Sequence, residues 1–351
     1  MVVHNPDPIN AEPPASALAE HELTPSDAFY CRNHGAIPDI AGEQWRLEIG
    51  GMVANPLTLD YERLTTEFTA HRVASTLACA GNRRAEMLRI RPIPGKEPWE
   101  RAAISTAVWR GARLSDVLRA AGVDPEDALH VAFTAPDVAY ETSPAESYGS
   151  SIPLAKAMSD EVLLAWEMNG TPLPRLHGGP VRVVVPGYIG ARSVKWINGI
   201  TVQPGPSQNY FQAVEYRLLP PDGTPARGAG TPLSTLDLNC AMLTPEDGST
   251  IRPGPVQIGG YAIAEHCDRI ARVEISLDHG VSWQQAELPP ADNRWAWRLW
   301  SLTVEAQPGP LSVTARAWDD TGATQPESPA ALWNPCGYAN NAWARAELTV
   351  S

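Results

Sequence analysis

The first 220 residues alternate short apolar runs with breaks rich in glycine and proline. Apolar, often β-branched runs between turn residues predict buried strands. Residues 114–122 instead place apolar side chains at helical spacing and end on glycine, which predicts a helix. The pair Asn169 and Gly170 follows an apolar run and predicts a hairpin. The predicted strands are residues 45–50, the run that begins at Val73, and residues 130–134, 161–168 and 181–185.

From about residue 233 onward the pattern changes to apolar–polar alternation at short intervals. Turn sequences at residues 278–280 and 320–322 separate the runs. Strands that recur at this spacing are typical of an immunoglobulin-like β-sandwich. The predicted strands are residues 256–261, 270–277, 295–300 and 311–318.

These changes along the chain predict four parts. Residues 1–25, polar and rich in proline and alanine, form an N-terminal arm that wraps the protein or is disordered. Residues 26–220 form a mixed α/β domain, and residues 221–232 form a linker of proline, glycine and alanine. Residues 233–351 form the sandwich, so the fold class is α+β.

The composition is that of a soluble globular protein of about two domains, with 351 residues, 43% hydrophobic and 19% charged. The 34 prolines, about twice the usual share, disfavour long helices. A net charge of −13 argues against nucleic-acid binding, which needs surplus lysine and arginine. No run is long enough to span a membrane, and the N-terminus lacks the features of an export leader. We therefore expect the cytoplasm, or the periplasm if a leader has been removed.

Cysteine usage points to one thiol. The chain has five cysteines, an odd number with no C-x-x-C pair, which argues against a disulfide framework and a paired-cysteine zinc site. Cys79 stands at a predicted strand end, before a turn at Gly81 and Asn82 and next to Arg83 and Arg84. A thiolate is a soft metal ligand or a nucleophile, and guanidinium groups match oxyanions. The alternative is an inert core cysteine beside solvated arginines.

A second dense stretch surrounds the predicted strand at residues 181–185. Glycines on both sides of this strand allow a ligand to approach the backbone closely. The donors around the gap suit a phosphate or pyrophosphate, although one or two of them could equally be solvent-facing charges. Neither a Walker motif nor a dinucleotide-binding motif occurs in the right setting. The donors are His177, Arg182, Arg192, Ser193 and Lys195.

Two segments resemble the sulfite oxidase family. Residues 79–84, Cys-Ala-Gly-Asn-Arg-Arg, followed by Glu86 and Met87, are similar to the family's molybdenum-ligand loop, and residues 193–196, Ser-Val-Lys-Trp, are similar to its second conserved segment. The resemblance implies a molybdenum–molybdopterin cofactor, with Cys79 as the metal ligand. It also implies a molybdopterin-binding domain followed by an immunoglobulin-like dimerisation domain, and hence a homodimer.

The resemblance also assigns roles by position. Arg32, Arg84 and Trp99 would hold the substrate anion and Tyr216 would orient it, although a tryptophan or tyrosine on a proline-flanked loop is more often packing. Asp137 matches the family's pterin-binding aspartate only approximately, because the spacing departs by a few residues. The remaining residues implied in cofactor binding are Tyr30, Asn33, His34, His177, Arg182, Ser193, Val194 and Lys195.

The activity that the resemblance implies is oxidation of sulfite to sulfate, with electrons passed to a separate acceptor such as a cytochrome or oxygen. No haem-binding segment of the type His-Pro-Gly-Gly occurs, so we expect no haem in this chain. Cys336 stands where the family carries a substrate arginine, which should weaken sulfite binding. The alternative on the same scaffold is a reductase of nitrate or another oxyanion, S-oxide or N-oxide. Two other classes are a cofactor-free β-sandwich binding protein and a cysteine hydrolase using Cys79 and His177.

Overall fold

The structure, a computed structural model, describes residues 1–124, 129–264, 269–290 and 293–351. Cys267, one of the five cysteines counted above, lies outside these ranges. None of the helices in the described ranges has the length and apolar character needed to cross a bilayer.

The N-terminal part begins with a hairpin and a short helix and continues into the first domain. Its helices are α1 Ala15–Ala19, α2 Tyr61–Glu67, α3 Arg84–Leu88, α4 Leu114–Ala120 and α5 Leu154–Ala157. Its strands are β1 Val2–Pro6, β2 Ile9–Glu12, β3 Arg46–Gly51, β4 Leu57–Asp60, β5 Ala70–Ala78, β6 Ile104–Arg113, β7 His130–Val138, β8 Ser147–Pro153, β9 Leu163–Met168, β10 Thr171–Pro172, β11 Arg182–Val184, β12 Gly199–Gln203, β13 Arg217–Leu218 and β14 Thr231–Pro232.

Two five-stranded sheets build this domain. One has the order β10-β9-β6-β5, with β11 also paired to β9, and the other has the order β4-β3-β12-β7-β8. Helix α4 and the strands predicted at residues 45–50, 130–134, 161–168 and 181–185 are confirmed within a few residues. The hairpin is confirmed as well: Asn169 and Gly170 join β9 to β10, both with positive φ.

The second half folds as two facing sheets around its own core. The sheets have the orders β15-β17-β20 and β16-β22-β21-β18-β19. The buried core includes Met242, Ile258, Val273 and Trp300. The strands are β15 Asn239–Thr244, β16 Thr250–Ile251, β17 Gly254–Ile263, β18 Ile270–Ser276, β19 Gln284–Gln285, β20 Arg298–Ala306, β21 Gly309–Asp319 and β22 Ala344–Val350.

One predicted strand of the sandwich begins later than expected. Residues 295–300 form a strand only from Arg298 onward, as the start of β20. The preceding residues bond across to the first domain: the Thr76 N–H donates to the Trp295 carbonyl at 2.9 Å, and the Trp297 N–H donates to Thr76 Oγ1 at 2.8 Å. Because β5 is an edge strand, this segment of the second domain covers part of its free edge.

The N-terminal arm is ordered and packs on the first domain. Glu12, 1% exposed, accepts hydrogen bonds from the backbone N–H groups of Glu100 at 2.8 Å and Ala102 at 2.9 Å. Asn10 accepts from the Asn33 N–H at 2.7 Å. The arm therefore ties together two loops that are far apart in the sequence.

Candidate functional site

A cavity with about 670 Å³ of empty space, counting the open solvent at its mouth, lies between the end of β5 and the loops that precede β3 and follow β11. It brings together all but four of the residues expected from the sequence to serve a site. Those lining it are Tyr30, Arg32, Asn33, His34, Cys79, Asp137, His177, Arg182, Ser193, Lys195 and Tyr216.

Cys79 immediately follows β5, where the chain turns towards α3. Its N–H donates to the Ala103 carbonyl at 2.9 Å, and its Sγ accepts from the Gly81 N–H at 3.4 Å. Burial raises the pKa of the thiol, while the neighbouring Arg84 and Arg32 guanidinium groups act in the opposite direction. A Cβ at Gly81 would lie 2.2 Å from the Arg84 guanidinium, so a larger residue here would displace that side chain. The fold thus presents one thiol to the cavity beside positive charge.

Cationic and amide groups gather at one side of the cavity. Arg182 donates to the carbonyls of His177 and Ser193, both at 2.8 Å, which leaves part of its five-donor fork free. Lys195 donates to the Arg32 carbonyl at 3.1 Å and to the Asn33 side chain. Burial lowers the pKa of Arg182 to about 10, and burial together with Arg182 lowers the pKa of Lys195 to about 7. Among the residues that the structure describes, no carboxylate is in hydrogen-bond contact with these cations, so an anion here would offset their desolvation.

Asp137 contributes an unpaired acceptor. It lies on β7 and is 6% exposed, and its Oδ1 has no hydrogen-bond partner in the described part of the chain. Burial raises the pKa of its carboxyl to about 6. A buried carboxylate oxygen without a donor is costly, and this one lines a cavity where a ligand N–H can reach it.

Arg32 and Tyr216 lie on another part of the wall. The Arg32 guanidinium lies 3.4 Å from Glu97 and 3.9 Å from Glu141. Burial alone would lower the pKa of Arg32, but Tyr216, Glu97, Cys79 and Glu141 together raise it. The Tyr216 hydroxyl is 2.8 Å from His34 Nε2, and burial holds the pKa of this phenol well above its ordinary value. Arg32 and Tyr216 therefore present a fixed positive charge and a neutral hydroxyl group to the cavity.

Four expected residues do not line the cavity, and one of them, the completely buried Arg192, donates to the Leu233 carbonyl at 3.0 Å and to Ser150 Oγ at 2.8 Å. The Arg84 guanidinium donates to the carbonyls of Cys336 at 3.0 Å, Gly337 at 3.2 Å and Glu97 at 2.8 Å. Trp99 is completely buried, and the ring of His4 from the N-terminal arm packs on its edge at 4.9 Å between ring centroids. Val194 belongs to the core of the first domain. Contacts with other parts of the fold occupy or cover these side chains, and their expected roles stay predictions.

Sequence reasoning missed several groups of this site. Tyr148 lines the cavity, stacks on His34 with ring centroids 5.4 Å apart, and donates to the Ala191 carbonyl at 2.8 Å. Tyr148 lies on β8, and nothing in the sequence around it indicates a role in a site. Glu97 and Glu141 lie on loops, and nothing in their neighbourhood in the sequence indicates that both approach Arg32.

Comparison with known proteins agrees with this geometry. A family model described as "Oxidoreductase molybdopterin binding domain" matches residues 34–211, and one described as "Mo-co oxidoreductase dimerisation domain" matches residues 231–351. The chain is 42% identical to sulfite oxidase of Gallus gallus over 356 residues, covering 98% of this chain and 76% of that protein. It is 37% identical to an inducible NADH nitrate reductase of Glycine max, covering 98% of this chain and 41% of that protein.

A solved structure supports the same assignment. The sulfane dehydrogenase SoxCD from Paracoccus pantotrophus superposes with a TM-score of 0.82 at 28% identity, covering 96% of this chain and 85% of that one. The likeness extends over both domains, and the two family models fall on the two halves of the fold. The chain therefore belongs to the sulfite oxidase family of molybdopterin-binding oxidoreductases, with a molybdopterin-binding domain followed by a β-rich dimerisation domain.

Proposed function

We propose that this protein oxidises sulfite to sulfate at a molybdenum–molybdopterin cofactor and passes the electrons to a separate acceptor, such as a cytochrome or oxygen. The observation that carries the proposal is a single thiol, Cys79, that opens into a cavity between an arginine–tyrosine pair and a group of buried cations. When bound, the cofactor supplies oxygen-atom transfer and two-electron redox chemistry. The 42% identity with chicken sulfite oxidase supports the choice of substrate.

The donor set of the cavity fits such a cofactor. Arg182 and Lys195 carry charges that burial disfavours, and a terminal phosphate would compensate both. The unpaired Asp137 Oδ1 would accept from a ring N–H of a pterin. We assign His177 and Ser193 to the phosphate, and Tyr30, Asn33 and His34 to the walls that hold the ring system. Cys79 would be the protein's ligand to molybdenum, because a thiolate is a soft ligand.

The substrate would bind against Arg32 and Tyr216. A guanidinium whose pKa is raised stays charged at any physiological pH and matches the oxygens of a small oxyanion. The Tyr216 hydroxyl is neutral and can orient the anion without repelling it. Arg84 would act through the Cys79 loop, since its guanidinium holds carbonyls of the second domain.

Metal analysis with a redox titration tests the proposal. Protein produced with adequate molybdenum and cofactor supply should contain about one molybdenum per chain, and adding sulfite should bleach its visible thiolate-to-metal absorption. Sulfite-dependent ferricyanide reduction should follow the metal content across preparations. Protein that binds no molybdenum under these conditions would contradict the proposal.

A second candidate function is reduction of nitrate or another oxyanion on the same scaffold. The observation that favours it is Cys336, which is uncharged, 1% exposed and stands where the family carries a substrate arginine. Burial raises the pKa of its thiol, so it supplies no compensating charge of either sign near neutrality. Reduced viologen with nitrate tests this directly: turnover that exceeds sulfite oxidation in the same preparation would make the reductase the main activity.

We also propose that the protein is a homodimer joined through residues 231–351, the part matched by the dimerisation family model. Light scattering coupled to gel filtration should give twice the 37.9 kDa mass of the chain. A monomer at micromolar concentration would contradict this part of the proposal.

A further inference from the structure

We propose that His34 is the proton acceptor of the cavity. Protons reach it through the Tyr216 hydroxyl, and Glu141 is the positioning residue that holds the imidazole ring in this triad. The proposal rests on the proposed function, because it concerns the protons that sulfite oxidation releases. Its structural basis is a continuous line of hydrogen bonds from the cavity wall to a loop carboxylate.

The three groups are joined in series and differ in exposure. The Tyr216 hydroxyl lines the cavity and lies 2.8 Å from His34 Nε2. The other ring nitrogen of His34, Nδ1, is hydrogen-bonded to Glu141 Oε1. His34 is 4% exposed, whereas the Glu141 side chain is 34% exposed. The ring is held in place by Phe211, with centroids 4.3 Å apart, and by Tyr148.

The partners fix the tautomer of His34. Burial, reinforced by the Arg32 charge, holds the pKa of the ring well below its ordinary value, so the resting imidazole is neutral and carries one proton. A carboxylate accepts and cannot donate, so the proton lies on Nδ1 and is donated to Glu141. Nε2 then accepts a hydrogen bond from the Tyr216 hydroxyl. The lone pairs of the hydroxyl oxygen remain free to accept a hydrogen bond from a molecule in the cavity. The triad therefore has the orientation that a general base needs.

Charged groups face His34 from several parts of the fold. The groups that disfavour its protonation are cationic, and those that favour it are carboxylates. Only one of the carboxylates is hydrogen-bonded to the ring. The groups are Arg32 on its own loop, Lys96 and Glu97 on the loop after α3, Glu141 on the loop after β7, and Glu215 before β13.

The chemistry requires such an acceptor. Sulfite and water give sulfate with two protons and two electrons, and the electrons leave to the separate acceptor of the proposed function. One proton moves from cavity water to the Tyr216 oxygen while the phenolic proton moves to His34 Nε2, and the second proton passes to solvent water as sulfate forms. The imidazolium that forms is stabilised by Glu141. When the product leaves, the imidazolium returns its proton to Tyr216, which releases one to the water that refills the cavity.

Glu141→Gln tests the positioning role, because it keeps the shape of the side chain and removes its charge. We expect kcat for sulfite-dependent ferricyanide reduction to fall by about 10- to 100-fold, the range of general base catalysis. KM for sulfite should change much less. The acid limb of the kcat/KM profile should move to lower pH, since an imidazolium without its carboxylate is a stronger acid. Glu141→Asp should restore part of the loss.

Glu97→Gln is the matched control. Glu97 also pairs with Arg32, at 3.4 Å, but makes no hydrogen bond to His34. Its loss should alter KM through Arg32 and move the acid limb less than Glu141→Gln does, because Glu97 acts on His34 only through its charge and not through a hydrogen bond. Equal effects of the two substitutions on kcat and on the pH profile would overturn the proposal.

Nitrogen-15 spectra of the oxidised protein give a readout independent of turnover, with the signal assigned by its loss in His34→Gln. The wild type should show the Nδ1–H tautomer, and Glu141→Gln should lower the pKa of His34. An Nε2–H tautomer in the wild type would overturn the triad. If the wild type oxidises no sulfite, the proposed function has failed, and these spectra alone decide whether the triad exists.

Discussion

The chain buries two groups of charged side chains that differ in how fully the protein compensates their charges and hydrogen-bonding groups. At the contact between the domains, Arg83 is completely buried and donates to Glu86, to Asn239 and to three carbonyls of the second domain. In the cavity, by contrast, Asp137 has an oxygen with no partner, and Lys195 has a strongly lowered pKa. A guanidinium whose donors are all hydrogen-bonded within the protein stabilises the fold. Buried charges that are poorly compensated and lie beside open space indicate a ligand-binding site instead. Substitutions in the two groups should therefore affect different measurements.

The largest expected effect is on the cavity side. Cys79→Ser replaces the thiolate that would hold molybdenum with a harder, neutral hydroxyl. We expect metal content and sulfite oxidation to fall to background while the free energy of unfolding changes little. Elemental analysis measures the metal content, and urea unfolding measures the free energy of unfolding. Cys31→Ser is the control, since Cys31 lines the same cavity but is not the proposed ligand; equal metal loss in both variants would remove the case for Cys79.

Arg83→Leu should have the largest effect on the contact between the domains. It leaves the largely buried Glu86 carboxylate without its cationic partner, and it leaves the carbonyls that Arg83 now satisfies without their donor. Breaking a buried pair in this way costs about 3–5 kcal/mol. Urea unfolding of the cofactor-free protein measures the loss. Arg89→Leu, at an exposed arginine paired with Asp247, should cost far less, and a similar cost for the two would contradict the distinction.

Glu215 joins the domains through an acid-dependent contact. It accepts from Lys96 and from the Tyr338 hydroxyl. Although burial opposes its charge, Lys96 and these hydrogen bonds lower its pKa from 4.5 to about 2. The stabilisation is present above pH 4.5 and is lost as the pH falls towards 2, a difference of about 3 kcal/mol.

Glu215→Gln should therefore lower the free energy of unfolding at pH 7, and the gap from the wild type should close in acid. Unfolding curves between pH 2 and pH 7 check this. Glu67→Gln, at an exposed pair on α2, should give nearly parallel curves instead. A pH-independent gap for Glu215→Gln would show that its charge is not what stabilises the contact.

Lys195→Met should have the smallest effect on stability and a distinct effect on binding. Burial lowers the pKa of Lys195 from 10.5 to about 7, so the unfolded chain binds more protons over that range and the cofactor-free wild type gains stability as the pH rises. The variant should lack this gain. It should also bind the cofactor at least about 10-fold more weakly, through loss of a charged hydrogen bond.

Equilibrium dialysis with the cofactor measures this change in affinity. Lys156→Met is the control, because Lys156 pairs with Glu161 and does not line the cavity. Unchanged cofactor retention in Lys195→Met would argue against a phosphate at this end of the cavity.

The sequence predicted the elements around Cys79 well, because local rules govern them. A β-branched run, a glycine turn and the Asn169–Gly170 pair each specify their own backbone. The same rules could not foresee that Trp295 and Trp297 bond to β5 rather than to their own sheet, because that choice depends on where the two domains meet.

Residue types and spacing alone pointed to Cys79 and to the donors between residues 177 and 195, and the resemblance added the other positions. The structure brings Cys79 and most of those donors to one cavity. The resemblance gave no indication that the N-terminal arm covers Trp99 or that Arg84 is engaged by carbonyls of the second domain. Loop carboxylates such as Glu141 have no local signature, since only the folded chain brings them to Arg32 and His34.

The bonds between Thr76 and residues 295–297 have a consequence for how the molecule comes apart. Together with the Asn82 side chain, which donates to the Tyr261 hydroxyl at 2.7 Å, they bind the strand that carries Cys79 to the second domain. Neither half can melt without exposing backbone groups and aromatic surface of the other. Calorimetry should therefore record one cooperative unfolding transition for both domains. We expect the first domain, expressed without the second, to refold inefficiently.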